Sequence, residues 1–76
     1  MNEYTLMEKQ ILRHINAMEG HMMKGAPPPS VEAMYKKMEE DGLLEEIRVE
    51  GVLLAHKVTD EGRKFLSENL PGGEAH

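Results

Sequence analysis

Three consecutive prolines, Pro27-Pro28-Pro29, divide this chain of 76 residues and limit what it can become. Each ring removes a backbone donor and pushes the preceding residue toward extended angles, so no helix runs through Ala26 to Pro29. Helical periodicity on either side therefore belongs to separate elements joined by a stiff connector. On the N-terminal side, Thr5-Leu6-Met7-Glu8 is a capping box, with Thr5 accepting from the backbone and Glu8 reaching back to it. Met7, Ile11, Ile15 and Met18 then recur at helical spacing. Leu12 widens this stripe, and Lys9, Arg13 and Asn16 fall opposite it. A helix is expected from about Thr5 to Glu19. Gly20 weakens it there, and Met22-Met23-Lys24-Gly25 either continues it or forms a short separate turn.

Beyond the prolines, Ser30 is the expected N-cap of a second helix with Val31, Met34, Tyr35 and Met38 as its apolar stripe. It ends at Asp41-Gly42, where glycine takes the left-handed cap. Two short extended runs follow, joined by Glu50-Gly51. With those two residues as the loop, Val49 faces Val52, Ile47 faces Leu54 and Leu43 faces Val58, all on one side of the ribbon. The other side carries Arg48 beside Leu53, Glu46 beside Ala55 and Leu44 beside Lys57. The Ile47/Val52/Leu54 side is expected to pack on the helices. A last helix runs from about Asp60 to Asn69, with Gly62, Phe65, Leu66 and Asn69 inward. Leu70-Pro71-Gly72-Gly73 stops it, and residues 73 to 76 are expected to fray. There are no internal repeats. The fold class is thus mainly α with a small antiparallel β-hairpin (α+β), one domain over residues 1–72, ordered helix, short turn, helix, strand, strand, helix.

At this size only ~60% of the unfolded surface is buried, so the core needs assistance. Cysteine is absent, which excludes disulfides and thiolate metal sites and leaves association with another chain, a homodimer, as the expected staple. No run reaches the roughly 18 apolar residues of a membrane span, and no basic region precedes an apolar one at the start. The expectation is a soluble, cytoplasmic protein. Nine Lys+Arg against fourteen Asp+Glu give a net charge of −5, a handicap for any chain that must neutralise phosphates.

The stretch from Ser30 to Leu66 resembles PadR-type and MarR-type winged-helix regulators. Those families run a pattern like L-x-x-L-E-x-D-G-L-I into the wing and return through one like Y-x-L-T-x-E-G. Here the matching residues are Met38-Glu39-Glu40-Asp41-Gly42-Leu43-Leu44 and His56-Lys57-Val58-Thr59-Asp60-Glu61-Gly62. The resemblance implies a winged-helix domain whose recognition helix, about residues 30–41, lies in the major groove of duplex DNA, with a wing over residues 45–58. Only ten residues separate Glu19 from Ser30. Either Gly20 to Gly25 is a one-turn remnant of the family's middle helix, or the motif is abridged. A second alignment sets Pro28-Pro29-Ser30 before the motif's first helix and leaves the recognition helix missing.

Under the first alignment the candidate DNA contacts are Ser30, Ala33, Lys36 and Lys37 on the helix and Arg48 and Lys57 on the wing, with Lys9, Arg13 and Lys24 adding charge nearby. The alternative for the lysines is a solvated face in which Glu32 and Glu40 pair with Lys36, and for Arg48 a surface ion pair over Leu53. No arginine, asparagine or glutamine projects from the helix, and Glu50 at the wing tip repels phosphate. A regulator binding a palindromic site as a homodimer, through the first or last helix, is one reading. A winged-helix module that binds protein through the wing or a methionine-rich face is the other, favoured by the acidity and the short middle segment.

His14 reads as a half-buried core residue, and His14, His21, His56 and His76 lack the i,i+4 spacing of paired zinc histidines. His56 is expected opposite Glu45, which favours its protonated form. The seven methionines suit an adaptable core, with Met22 and Met23 as an exposed patch beside Leu12. Ser30 and Ser67, the two serines, occupy no nucleophile elbow, and there is no glycine-rich phosphate loop. Neither catalysis, nor a metal, nor a cofactor is expected.

Overall fold

Both halves of the capping box form. Glu8 N–H donates to Thr5 Oγ1 at 3.2 Å and Thr5 N–H donates to Glu8 Oε1 at 2.7 Å, opening helix α1, Leu6–Ala17. The computed structural model describes residues 3–69, so the expected stop at residues 70–73 and the frayed tail lie outside the described residues. The inward face of α1 is Glu8, Leu12 and Ile15, and the methionine stripe is displaced from it: Met7 and Met18 are open to solvent. An apolar count could not find this, because the position one turn before Leu12 is filled by a carboxylate whose ion-pair partner, Lys37, comes from far along the chain.

The chain leaves α1 through a tight 3₁₀ turn, Glu19–His21, in which Gly20 and His21 both take positive φ (72° and 59°). It then extends as strand β1, Met22–Lys24. The segment expected to prolong the first helix or make a turn is therefore the third strand of a sheet. Met22 and Met23 are half-buried in it, not an exposed patch. After the prolines a second 3₁₀ turn, Pro29–Val31, leads into helix α2, Glu32–Glu40. Ser30 does not cap it; Val31 occupies the N-cap with no side-chain hydrogen bond, so the helix begins one residue later than expected. Its far end closes with two bonds of the Schellman type, Leu43 N–H to Met38 O at 2.8 Å and Gly42 N–H to Glu39 O at 3.1 Å. Gly42, at φ 82°, makes that reversal without a Cβ penalty.

Strands β2, Leu44–Val49, and β3, Val52–Val58, form the hairpin. Glu50 and Gly51 both have positive φ, the geometry of a two-residue turn whose twist matches the strands. Pairing starts as expected, with Val49↔Val52 and Arg48↔Leu53. Then Leu54 is an extra residue, and the register moves to Ile47↔Ala55, Glu46↔His56 and Leu44↔Val58. This bulge overturns the expected faces. Leu44, Ala55, His56 and Val58 are buried, while Val49, Val52 and Leu54 are exposed. β1 pairs with the other edge of β3, giving the antiparallel order β1-β3-β2.

Helix α3, Asp60–Asn69, is capped by Thr59, whose Oγ1 accepts from Gly62 N–H at 2.9 Å and donates to Gly42 O at 2.6 Å. Gly62 faces the core: a Cβ there would overlap the Leu43 carbonyl oxygen and stand 2.7 Å from Val58 Cγ1. Phe65 and Leu66 complete a core with Leu12, Ile15, Tyr35, Met38, Leu43, Leu44 and Val58. The architecture is α+β, three helices against a three-stranded antiparallel sheet. Among the described residues no helix is long and apolar enough to cross a membrane.

Candidate functional site

Helix α2 carries the charged side chains that matter on two different sides, because successive residues project about 100° apart. Toward α1, the Lys37 ammonium lies 3.2 Å from both oxygens of the Glu8 carboxylate, donates to Glu3 O at 2.6 Å and sits 4.5 Å above the Tyr4 ring. Tyr4 in turn donates its hydroxyl to Asp41 and meets Phe65 edge-on. Burial pushes the Glu8 carboxyl up, but the Thr5 N–H and the Lys37 ammonium outweigh it and hold it below its ordinary range. Burial, aided by Asp41, raises the Tyr4 hydroxyl, so it stays a donor. This corner is fully occupied by its own partners.

Toward the hairpin, α2 faces a cleft of about 160 Å³ lined by Glu32, Lys36, Glu39, Glu46, Arg48 and His56, among others. His56 is buried beneath it. Its Nε2 is 2.6 Å from Glu39 Oε2 and 3.9 Å from Glu46 Oε2, and its ring stands edge-on to Tyr35 with centroids 4.9 Å apart. Nδ1 is buried with no hydrogen-bond partner. Arg48 donates from Nε to Glu46 Oε1 at 2.7 Å and from its terminal nitrogen to Gly51 O at 3.0 Å. That guanidinium holds the Glu46 carboxyl below its usual value. A third feature is the hairpin end, where Val49, Val52 and Leu54 are 52%, 59% and 46% exposed.

The sequence-derived candidates are scattered by this geometry. Ser30 is exposed in the 3₁₀ turn, and Ala33 and Lys36 are exposed on α2. Lys37, expected beside Lys36 on the open face, is instead folded back into the Glu8 corner. Arg48 is engaged by Glu46 and the turn carbonyl, as its alternative reading held. Lys57, half-buried, is paired in register with Glu45 on one side and Met22 on the other. His14 is exposed on the rim of a groove of about 460 Å³ that also includes Ile11, Met23, Val31 and Lys24, and is not a core residue. The expected neighbour of His56, Glu45, is replaced by Glu46, and Glu39 joins it from α2 with no local signal in the sequence. The only sequence signal for that trio is their charge type; the bulge that assembles it leaves no trace in the alternation.

No family model, curated protein or solved structure matches this chain.

Proposed function

We propose that this domain is a protein-docking module of the winged-helix type, which presents the hairpin end to an apolar surface rimmed by basic side chains. The observation that carries the reading is the exposure of Val49, Val52 and Leu54 at the hairpin tip. A wing that enters the minor groove carries cations at that place. Here the nearest guanidinium, Arg48, is engaged by Glu46 and the Gly51 carbonyl, and Glu45, Glu46 and Glu50 are exposed around it. Desolvating three aliphatic side chains favours binding, and surrounding carboxylates select a basic rim on the partner. The winged-helix part is supported by the order β1-β3-β2 and by α2 running directly into the hairpin.

Duplex DNA is a second reading, favoured by Lys36, which is exposed at the middle of α2 beside the exposed Ala33. A titration of labelled random duplex at low salt separates the two. Docking through protein expects no binding near ~10 µM, within the ordinary non-specific range. Binding in that range, lost in Lys36→Glu and retained in Val52→Glu, overturns the docking reading in favour of DNA. Lys36→Glu is the informative variant, since altering Lys37 also unpairs Glu8. Homodimerisation is proposed through α1, where Leu6 and Met7 are 60% and 59% exposed; sedimentation equilibrium of wild type and Met7→Lys tests it.

A further inference from the structure

We propose that Glu39, Glu46 and His56 form a binding site for one divalent transition-metal ion, with zinc the best chemical match. The three residues come from α2, β2 and β3, yet their ligand atoms all lie within 4.8 Å of one another. Ligand atoms of a four-coordinate site with bonds of about 2.0–2.2 Å stand roughly 3.3–3.6 Å apart. His56 Nε2 and Glu39 Oε2 are now at 2.6 Å, and His56 Nε2 and Glu46 Oε2 at 3.9 Å. Admitting an ion therefore requires Glu39 to withdraw and Glu46 to approach, each by less than about 1 Å. Side-chain torsions supply that without moving the backbone.

The imidazole is the fixed part of the arrangement. Its side chain is 2% exposed and is braced by Tyr35, so Nε2 is held facing the two carboxylates. Glu39 and Glu46 keep 22% and 33% side-chain exposure, which leaves a path for the ion and room for water as a further ligand. Arg48, on the other oxygen of Glu46, orients that carboxylate as an outer partner orients a metal ligand. One imidazole and two carboxylates favour zinc, a borderline ion, over manganese, a harder one, and over calcium, which prefers oxygen alone. Nδ1 lacks the acceptor that strengthens tight sites, so affinity is expected to be moderate. Occupancy ties the end of α2 to the hairpin. This holds whichever macromolecule the hairpin meets.

Calorimetric titration of the untagged full chain with zinc chloride, manganese chloride and calcium chloride tests the site. The expected result is one zinc per chain, weaker manganese, and no calcium binding. Glu39→Gln, Glu46→Gln and His56→Asn should each weaken zinc by roughly tenfold or more. The double variant His14→Asn/His21→Asn, which removes two exposed imidazoles, should leave it unchanged. Since His56 is buried, the two glutamine variants keep the test decisive if His56→Asn does not fold. Cobalt(II) added to wild type should give the intense visible bands of a low-coordinate site. Absence of saturable zinc binding, calcium binding as tight as zinc, or affinity that survives both glutamine substitutions overturns the proposal.

Discussion

On one side of α2, Lys37 enters a corner in which every polar group has a partner; on the other, Glu39 and His56 meet in a cleft where Nδ1 of the ring has none. Both arrangements couple α2 to another element through a carboxylate. The Glu8 corner joins it to α1 and the N-terminal segment, with Thr5, Tyr4 and Glu3 O supplying the remaining contacts. The His56 cleft joins it to the sheet with one short contact, a second carboxylate at arm's length and partial access to water. Full satisfaction makes the first a staple. Two part-exposed carboxylates within reach of Nε2 leave the second with ligand capacity to spare.

If that contrast is right, Lys37→Ala is the most damaging of the changes considered, because it strands the buried Glu8 carboxylate. Because Lys37 is part-exposed and Glu8 keeps the Thr5 N–H, the cost is about 2 kcal/mol, measurable as a lower urea midpoint at neutral pH. A loss no larger than that of an ordinary surface change would erase the distinction between the two sides. Acid probes the same corner. The folded Glu8 carboxyl is held below its ordinary 4.5, so its contribution is complete above that value and disappears as pH falls through the lowered folded value. Denaturation midpoints should therefore drop on the acid side of pH 4.5, and by less in a chain carrying Glu8→Leu and Lys37→Met. That paired apolar replacement should itself stay within about 1 kcal/mol of wild type at neutral pH, since the desolvation penalty leaves with the charges.

The cleft should respond more gently. In metal-free protein His56→Leu removes one hydrogen bond and leaves Glu39 open to rehydration, a change of about 1 kcal/mol by chemical denaturation. A loss as large as that of Lys37→Ala would make the cleft a second staple and remove its spare capacity. At the hairpin end, Leu54→Thr should alter stability by no more than about 0.5 kcal/mol, consistent with a side chain that supports nothing in the isolated chain.

Elements with strong local chemistry were legible. Thr5 and Glu8 announce the first helix, Asp41-Gly42 the end of the second, and Thr59 the cap of the third, each through a bond made within a few residues. Helical spacing turns Gly62 inward, where it is buried, although the overlap with Leu43 O that demands glycine is a tertiary fact. What failed depended on distant partners. Glu8 is inward because Lys37 waits for it, and β1 is a strand because β3 offers it an edge, neither of which is visible in a window of ten residues. The cleft was unreadable for the same reason: alternation predicts partners only while both strands advance in step.

The extra residue in β3 has a practical consequence. Leu54 carries no buried side chain, yet its exclusion from the ladder is what seats Glu46, not Glu45, across from His56. Replacing Leu54 leaves that pairing in place, and so should deleting it, because a ladder running unbroken from Val49↔Val52 through a β3 shortened by one residue again sets Glu46 against His56. Substitution and deletion scans would therefore both score the position as indifferent, and only an inserted residue, which moves His56 one step along β3, would test the pairing.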